Sequence, residues 1–489
     1  MVQTGVKRAG TGLPLLIAVL PLLWHLLVPS PAWWFQRALG AVPGMVAAFF
    51  GVRYLQARPT HRLPFLEYAL LQIYVYWGLP VMTADIAADV TRPESALTQA
   101  LIAVNAFVAM ALLAYPLGQR MGRSVRPVVA KMVPRAPGSG APMLAVPWLV
   151  LAILVTAGIA SRVPIRSRFL LIVIGSYYPL LVFLFLRAKD QASRALYLAA
   201  VALLALSAFY TGMMEAVIRP LLVVIVLQVF SGARIPWGWM AVFAAAMVIL
   251  QPAKQIYRQL TFERAQYTEN GPQEAAGRWL EAIGAAWGEE RSTEEENTTG
   301  LVRRFNELSA ISAVFESVFN TVPPEWGANW GLVGVALIPR FIYPSKPNLT
   351  VETNDRFNIA FGFQTEEGTT ESTGSFPLIA DGYWNFGWWG VAFVGAVLGL
   401  VLGLFTAMFP LDRWGGLTMA VAFFAELHPN AHLVALTGSL PQPFFGLMVS
   451  LWIGWLASLG FVRATPRWSS PPSLSAAPQR SMAGEKAPS

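Results

Sequence analysis

The sequence contains no cysteine, and its 489 residues include only four histidines. Without cysteine there can be no disulfide, thiolate zinc site, iron–sulfur cluster or cysteine nucleophile. Four scattered histidines are also too few for a histidine-rich metal site. We therefore expect a chemistry that uses neither a metal ion nor another cofactor.

Charged residues are scarce as well. They make up 13% of the chain, whereas soluble domains average about 25%. Hydrophobic residues reach 55%, more than a soluble protein of this length could bury, and 18 Trp with 29 Phe exclude a disordered chain. The composition thus predicts a polytopic membrane protein. In a membrane protein, the net charge of +8 reflects on which side of the membrane the basic residues lie. We therefore expect no nucleic-acid partner.

Hydrophobic runs of roughly 20 residues, long enough to cross a bilayer, recur along the chain and predict an all-α fold. We predict about twelve transmembrane helices, of which nine form an N-terminal bundle over residues 1–253 and three a C-terminal bundle over 390–462. Residues 254–389 are predicted to form one large polar loop with short amphipathic helices, and 463–489 a disordered tail. The predicted spans are 12–29, 38–56, 64–83, 96–117, 143–161, 168–186, 195–212, 216–233, 237–253, 390–410, 415–433 and 443–462.

The basic residues indicate the topology. Short loops on one side carry residues such as Arg120, Arg123 and Arg126, whereas the third loop, on the other side, carries Asp85 and Asp89. By the positive-inside rule both termini are then cytoplasmic and the large loop lies outside. Between residues 254 and 375 this loop has 17 acidic and 10 basic residues.

Several basic residues fall on the outer side, where the positive-inside rule does not explain them. They can snorkel to the interface or pair with glutamates. As a group they suggest a site for an anionic headgroup, since the guanidinium fork of arginine matches phosphate oxygens. These residues are Arg166, Arg219, Arg258, Arg340 and Lys346.

The large loop is also rich in tryptophan. Trp326 and Trp330 lie in Val-Pro-Pro-Glu-Trp-Gly-Ala-Asn-Trp-Gly, and Trp384, Trp388 and Trp389 lie at the entry to the tenth predicted span. Tryptophan is enriched at membrane interfaces, and its face also stacks on sugar rings. The interfacial belt is the simpler of these two interpretations.

Three motifs follow one another in the loop: Pro-Arg-x-x-x-Pro-x-Lys-Pro at 339–347, Thr-Gly at 373–374 and Asp-Gly-Tyr-x-Asn-Phe-Gly-x-x-Gly at 381–390. This order, with a basic residue after the ninth predicted span, resembles the Wzy-type O-antigen and exopolysaccharide repeat-unit polymerases. Members of that family commonly have Glu at the position of Asp381. Arg219 is the nearest match to the Gly-Ser-Arg sequence that often opens their eighth span.

The resemblance implies a GT-C-like bundle in the bacterial inner membrane that works at the periplasmic face. It implies transfer of a growing glycan from undecaprenyl diphosphate to a new lipid-linked repeat unit, without a nucleotide sugar or a metal. Expected partners are the undecaprenyl-diphosphate-linked oligosaccharide, membrane lipids, a chain-length regulator and a flippase. The product would be the O-antigen of lipopolysaccharide, a capsule or an exopolysaccharide.

Such a reaction needs cations at the diphosphate leaving group. We expect Arg258, Arg340 and Lys346 to bind it, with Arg219 and Arg166 in the second rank. In the 381–390 motif, we expect Tyr383 and Trp384 to contact the glycan.

The acceptor hydroxyl needs a general base. Asp381 is the leading candidate because it lies beside aromatic residues at a membrane entry, and Glu307 is a second candidate in the loop. Glu426 and His428 lie within a predicted span, where ionisable residues are a functional hypothesis by default. A mutually satisfied polar pair is the alternative interpretation of these two.

Three other functions compete with a polymerase. An O-antigen ligase is expected to use a histidine in its large outer loop, and 254–389 contains none. A transferase that uses a polyprenyl monophosphate sugar usually has acidic residues in its first outer loop, and 30–37 has none. A transporter or flippase is expected to have charges within the bundle and often repeated halves, neither of which is evident here.

Overall fold

The structure is a computed structural model, and within the residues it describes every regular element is a helix. Val318 and Val322 form only an isolated bridge there, so the all-α prediction is confirmed. The described residues are 12–30, 32–57, 62–82, 94–135, 177–187, 195, 197–202, 214–231, 238, 241, 245, 253, 256–257, 272–287, 307–338, 342–343, 345–366, 376–427, 429 and 431–439.

The helices differ widely in length, from short turns to α5, which has 39 residues. A π turn (Tyr74–Gly78) and a 3-10 turn (Leu79–Met82) continue α4. In chain order the helices are α1 (Gly12–Ala18), α2 (Leu20–Leu27), α3 (Trp34–Ala57), α4 (Phe65–Ile73), α5 (Glu94–Met132), α6 (Tyr177–Arg187), α7 (Met214–Phe230), α8 (Pro272–Trp287), α9 (Leu308–Ser317), α10 (Leu332–Leu337), α11 (Leu349–Ala360), α12 (Leu378–Met408), α13 (Trp414–Glu426) and α14 (Leu433–Ser439).

Three of these helices, α3, α5 and α12, are long and apolar enough to cross a membrane. They correspond to the predicted spans 38–56, 96–117 and 390–410. The protein is therefore helical and membrane-associated. The described residues do not support the predicted number of twelve spans.

The other predicted spans are shorter in the structure or lie outside the described residues. The first, 12–29, forms α1 and α2, which are separate helices because Pro21 in the first turn of α2 cannot continue the hydrogen-bond ladder. The eleventh, 415–433, ends as α13 at Glu426. The predicted spans that lie wholly or largely outside the described residues are 143–161, 195–212, 237–253 and 443–462.

Helix α5 runs well beyond its predicted span. At about 1.5 Å per residue its length is roughly 58 Å, about twice the hydrocarbon thickness. The basic residues Arg120, Arg123 and Arg126, predicted to lie in a loop, are part of this helix. The predicted span ends where these charged residues begin, but the helix continues through them and contains both Pro116 and Pro127.

Helices α5 and α12 pack closely through small residues, as is common for membrane helices. Gly395, Gly399 and Gly403 of α12 are four residues apart and therefore share one face. A Cβ atom at any of them would meet a backbone carbonyl oxygen of α5, which for Gly399 belongs to Ala111. The spacing between the two helices therefore requires glycine at these positions.

Helix α12 is interrupted at Phe386 and Gly387. Gly387 has φ 57° and ψ −139°, which glycine adopts far more readily than other residues. Gly382 and Gly390 contact each other across the break, although straight helix would separate them by about 12 Å. The chain therefore bends sharply, and α12 has a first half (378–385) and a second half (388–408). Only the second half corresponds to the predicted span 390–410.

The close α5–α12 contact predicts a position-dependent effect of adding one methyl group. Gly399→Ala places its Cβ against the backbone of Ala111, which no side-chain rotation relieves, so we expect a stability loss of about 2 kcal/mol. Gly51→Ala on α3 meets no atom within 4 Å and gains helix propensity. The apparent Tm of the detergent-solubilised protein should fall only for Gly399→Ala. Equal Tm values for the two variants would contradict the packing.

Candidate functional site

Asp381, in the first half of α12, is the centre of a buried polar cluster. Its side chain is fully buried. Oδ1 accepts hydrogen bonds from Asn329 Nδ2 (2.9 Å), Trp330 Nε1 (3.0 Å) and Asn385 Nδ2 (2.9 Å). Oδ2 accepts one from the backbone N–H of Leu433 (2.8 Å). Four uncharged donors from three parts of the chain thus stabilise one buried carboxylate.

Asn385 adds a further connection between the first half of α12 and the 322–331 segment. Its Nδ2 also donates to the backbone carbonyl of Asp381 (2.8 Å), and its Oδ1 accepts from the backbone N–H of Gly327 (2.9 Å). An amide side chain suits this position because it donates and accepts at once. The 381–390 motif and the tryptophan-rich 322–331 segment therefore form one unit.

Trp384 strengthens this connection. Its indole Nε1 donates to the carbonyl of Pro323 (3.1 Å), and its own carbonyl accepts from the N–H of Glu325 (3.0 Å). The carboxylate of Glu325 is held in turn by Arg356 of α11 at 2.6 Å. Five of the eight residues in 323–330 are thus hydrogen-bonded to the first half of α12 or to α11.

The start of α14 is fixed at the other side of Asp381. Besides the bond from Leu433 to Asp381, Nδ1 of His432 accepts from the N–H of Ala435 (3.3 Å). The N–H of Leu378 donates to the carbonyl of Pro429 (3.4 Å). The bonds from Leu433 and Ala435 satisfy N–H groups in the first turn of α14, which have no partner within the helix. The bond from Leu378 joins the start of α12 to Pro429, just before α14.

Tyr383 and Trp384, which we predicted to contact glycan, have their rings buried in the protein. The ring of Tyr383 stacks on Phe315 with centroids 3.7 Å apart, and that of Trp384 packs edge-on against Phe376 and Phe361. Both residues are less than one-tenth exposed. The structure therefore favours a packing role for both rings.

The other carboxylates predicted as bases contact different elements. Glu307, at the start of α9, is buried, and its Oε2 accepts from the indole N–H of Trp77 (3.2 Å). Glu426, at the end of α13, is half-buried and accepts from the hydroxyl of Tyr178 (3.0 Å). Their described contacts thus join Glu307 to the π turn after α4 and Glu426 to α6. Neither contact involves a residue that donates to Asp381.

Lys346, predicted to bind diphosphate, contacts the C-terminal end of α10. Its Nζ donates to the carbonyls of Ala336 (2.7 Å) and Ile338 (3.0 Å). A cation at this end of a helix is favourable because the last carbonyls lack partners and carry partial negative charge. Lys346 therefore stabilises the turn after α10.

The remaining predicted site residues fall outside the described part of the chain. Arg219 belongs to α7, but its side chain is not described. The others are Arg166, Arg258, Arg340 and His428. Among the described residues, no group of three or more His, Asp or Glu side chains could hold a metal ion.

The sequence analysis did not select Asn329 or Asn385 as site residues, although both contact Asp381. Each lies in a short aromatic segment, Ala-Asn-Trp at 328–330 and Trp-Asn-Phe at 384–386. An amide in such an apolar setting has to find a buried partner. That signal could have linked the two segments, because Asp381 is the acidic residue nearest to Asn385 in the sequence.

The fold and this site define a membrane-associated helical protein organised around one buried carboxylate. The chain belongs to the DUF8712 family, a domain of unknown function, whose sequence model matches residues 145–424, more than half of the chain. The matched range includes Asp381 and three of its four donors. No curated protein and no solved structure matches the chain.

The hydrogen-bond pattern around Asp381 predicts a large effect of an isosteric change. Asp381→Asn replaces one acceptor oxygen with an amide group that donates, and this group faces other donors. Loss of the negative charge also weakens the hydrogen bonds that remain. We therefore expect a stability loss of about 2 kcal/mol. The exchange of backbone amide hydrogens at the start of α14 should accelerate. Asp412→Asn, at a carboxylate that is three-quarters exposed, is the matched control. An unchanged Tm and unchanged exchange in Asp381→Asn would refute this role of the carboxylate.

Proposed function

We propose that the chain polymerises undecaprenyl-diphosphate-linked oligosaccharide repeat units at the periplasmic face of the bacterial inner membrane. One observation carries the proposal. The 381–390 motif, on which the resemblance to Wzy-type polymerases depends, is joined through Asp381 to the tryptophan-rich segment 322–331 and to α14. These contacts lie directly before the apolar second half of α12, where a lipid-linked substrate can approach from the bilayer.

The segment that carries Arg340 is connected to the same unit, which supports the proposal further. Lys346 binds the carbonyl of Ile338, so two residues that flank Arg340 in the sequence are held together. Nearby in the sequence, Ala336 of α10 packs with Leu349 and with Val434 of α14. Since Leu433 binds Asp381, the first and last of the three motifs are connected through α14.

In the proposed reaction the C1–O bond between the donor glycan and undecaprenyl diphosphate breaks, and a C1–O bond to the acceptor hydroxyl forms. Negative charge develops on the diphosphate, which Arg258 and Arg340 stabilise. The hydroxyl proton passes to a carboxylate. Asp381 is fully buried and has donors on both oxygens, so it acts as a positioning residue. Glu426 has the most exposed side chain of the described candidate bases.

The proposed topology follows the sequence prediction, with both termini in the cytoplasm. A flippase supplies the lipid-linked repeat unit and a chain-length regulator limits the product. O-antigen ligase is the closest alternative activity, and the two differ in the product that accumulates when the enzyme is lost.

The proposal predicts the phenotype of loss-of-function variants in a host that depends on this chain. Arg258→Ala and Arg340→Ala should abolish the ladder of long surface polysaccharide on gels and leave single repeat units attached to their acceptor. Arg123→Ala, an exposed arginine on α5, should keep the ladder. Membrane insertion is checked by immunoblot for all three. A full ladder in Arg340→Ala would refute its role, and complete loss of attached glycan would indicate a ligase.

A further inference from the structure

Two large aromatic side chains of the 318–331 segment point away from the protein. The exposed fractions are 54% for Phe319 and 66% for Trp326. The two rings contact each other edge-on, with centroids 6.2 Å apart. A pair of exposed rings of this size is unfavourable in water and indicates that something covers them.

The backbone at both residues is strained. Phe319 has φ 69° and Trp326 has φ 50°, and in the described residues no other non-glycine residue has positive φ. Each such residue costs on the order of 1–3 kcal/mol and persists only where its surroundings enforce it. The two strained positions are thus also the positions of the two exposed rings.

Aromatic contacts connect both rings to the exposed face of α12. Phe319 contacts Tyr383, which contacts Trp388, each at centroid distances close to 6 Å. Trp326 reaches Phe393 through Phe386 and Trp330. Trp388 and Phe393 are themselves about half exposed, and the neighbouring Trp389 is 85% exposed. The patch is therefore continuous with a helix that is apolar enough to cross the membrane.

The loop also meets the main condition for contact with lipid, since its backbone groups bond within the protein. The carbonyl of Ser317 accepts from the N–H groups of Asn320, Thr321 and Val322, and the N–H of Phe319 donates to the carbonyl of Val322. Glu325, the acidic residue next to Trp326, is neutralised by Arg356. A sugar-binding surface needs polar groups free to bind hydroxyls beside its rings, and here Asn329 and Asn385 are turned inward to Asp381.

We propose that Phe319 and Trp326 insert into the headgroup region of the bilayer leaflet that surrounds Trp388 and Trp389. The 318–331 segment is then a non-helical membrane contact in addition to the membrane-spanning helices. Because Asn329 and Trp330 of this segment hold Asp381, the contact fixes the buried cluster at the depth of the lipid headgroups. This surface does not depend on the proposed polymerase activity.

The natural absence of cysteine makes this surface directly measurable. Phe319→Cys and Trp326→Cys, each spin-labelled, are reconstituted in vesicles of phosphatidylethanolamine and phosphatidylglycerol. Collisions with oxygen, which concentrates in lipid, are compared with collisions with a water-soluble nickel chelate. Trp389→Cys is the lipid-exposed reference, and Glu352→Cys, at an exposed residue of α11, is the reference outside the patch.

We expect both loop labels to collide with oxygen more than with nickel, as the label at 389 does, and the label at 352 to show the reverse. Nickel accessibility at 319 and 326 equal to that at 352 would overturn the proposal. So would water-exposed labels that become immobile only when lipid-linked oligosaccharide is added, because that result indicates a glycan platform. The two loop variants are independent, so either one decides the matter if the other fails to fold. No step of the measurement requires catalysis.

Discussion

The buried carboxylate of Asp381 is the interaction on which the described site depends. Transfer of an isolated carboxylate into a protein interior costs many kcal/mol unless hydrogen bonds replace its water. Here four neutral donors do so, and they come from the 322–331 segment, from α12 itself and from the start of α14. The 322–331 segment and α14 are each too short or too irregular to be stable alone. The requirement to satisfy one charge therefore orders three segments together, and loss of any donor weakens the contacts of the others.

The break in α12 makes this arrangement possible. If α12 were straight, Asp381 would lie more than two helical turns away from Gly390. It would then be part of the continuation of an apolar helix. The left-handed conformation of Gly387 instead folds residues 378–385 back against the second half, and Gly382 and Gly390 are small enough to allow the contact. The first half is thereby buried under the loop, and the second half keeps its exposed aromatic face. A single glycine thus separates the polar site from the apolar helix.

The sequence predicts some of these features and not others, for physical reasons. Hydropathy identifies α3, α5 and the second half of α12, because a membrane imposes length and apolarity on the chain. It does not detect the turn at Gly387, since a change of φ at one glycine leaves the composition of the window unchanged. The 381–390 motif led to the selection of Asp381, whose role as a base stays a prediction. Its donor Asn329 lies 52 residues away, and no local pattern reports such a pairing. Tyr383 and Trp384 share the motif with Asp381, but residue type alone does not distinguish a ring that binds substrate from one that packs against Phe315 or Phe376.

The neutral donors around Asp381 also bear on how this protein could handle a diphosphate. A carboxylate near a diphosphate normally competes with it for arginine and lysine side chains. Among the described residues, the hydrogen-bond partners of Asp381 are all neutral, and none of the described arginines or lysines is bound to it. Two basic residues of the 254–389 segment already have protein partners, Lys346 at the end of α10 and Arg356 at Glu325. In the proposed reaction, stabilisation of the leaving group then falls to the other basic residues predicted for it, Arg258 and Arg340 among them.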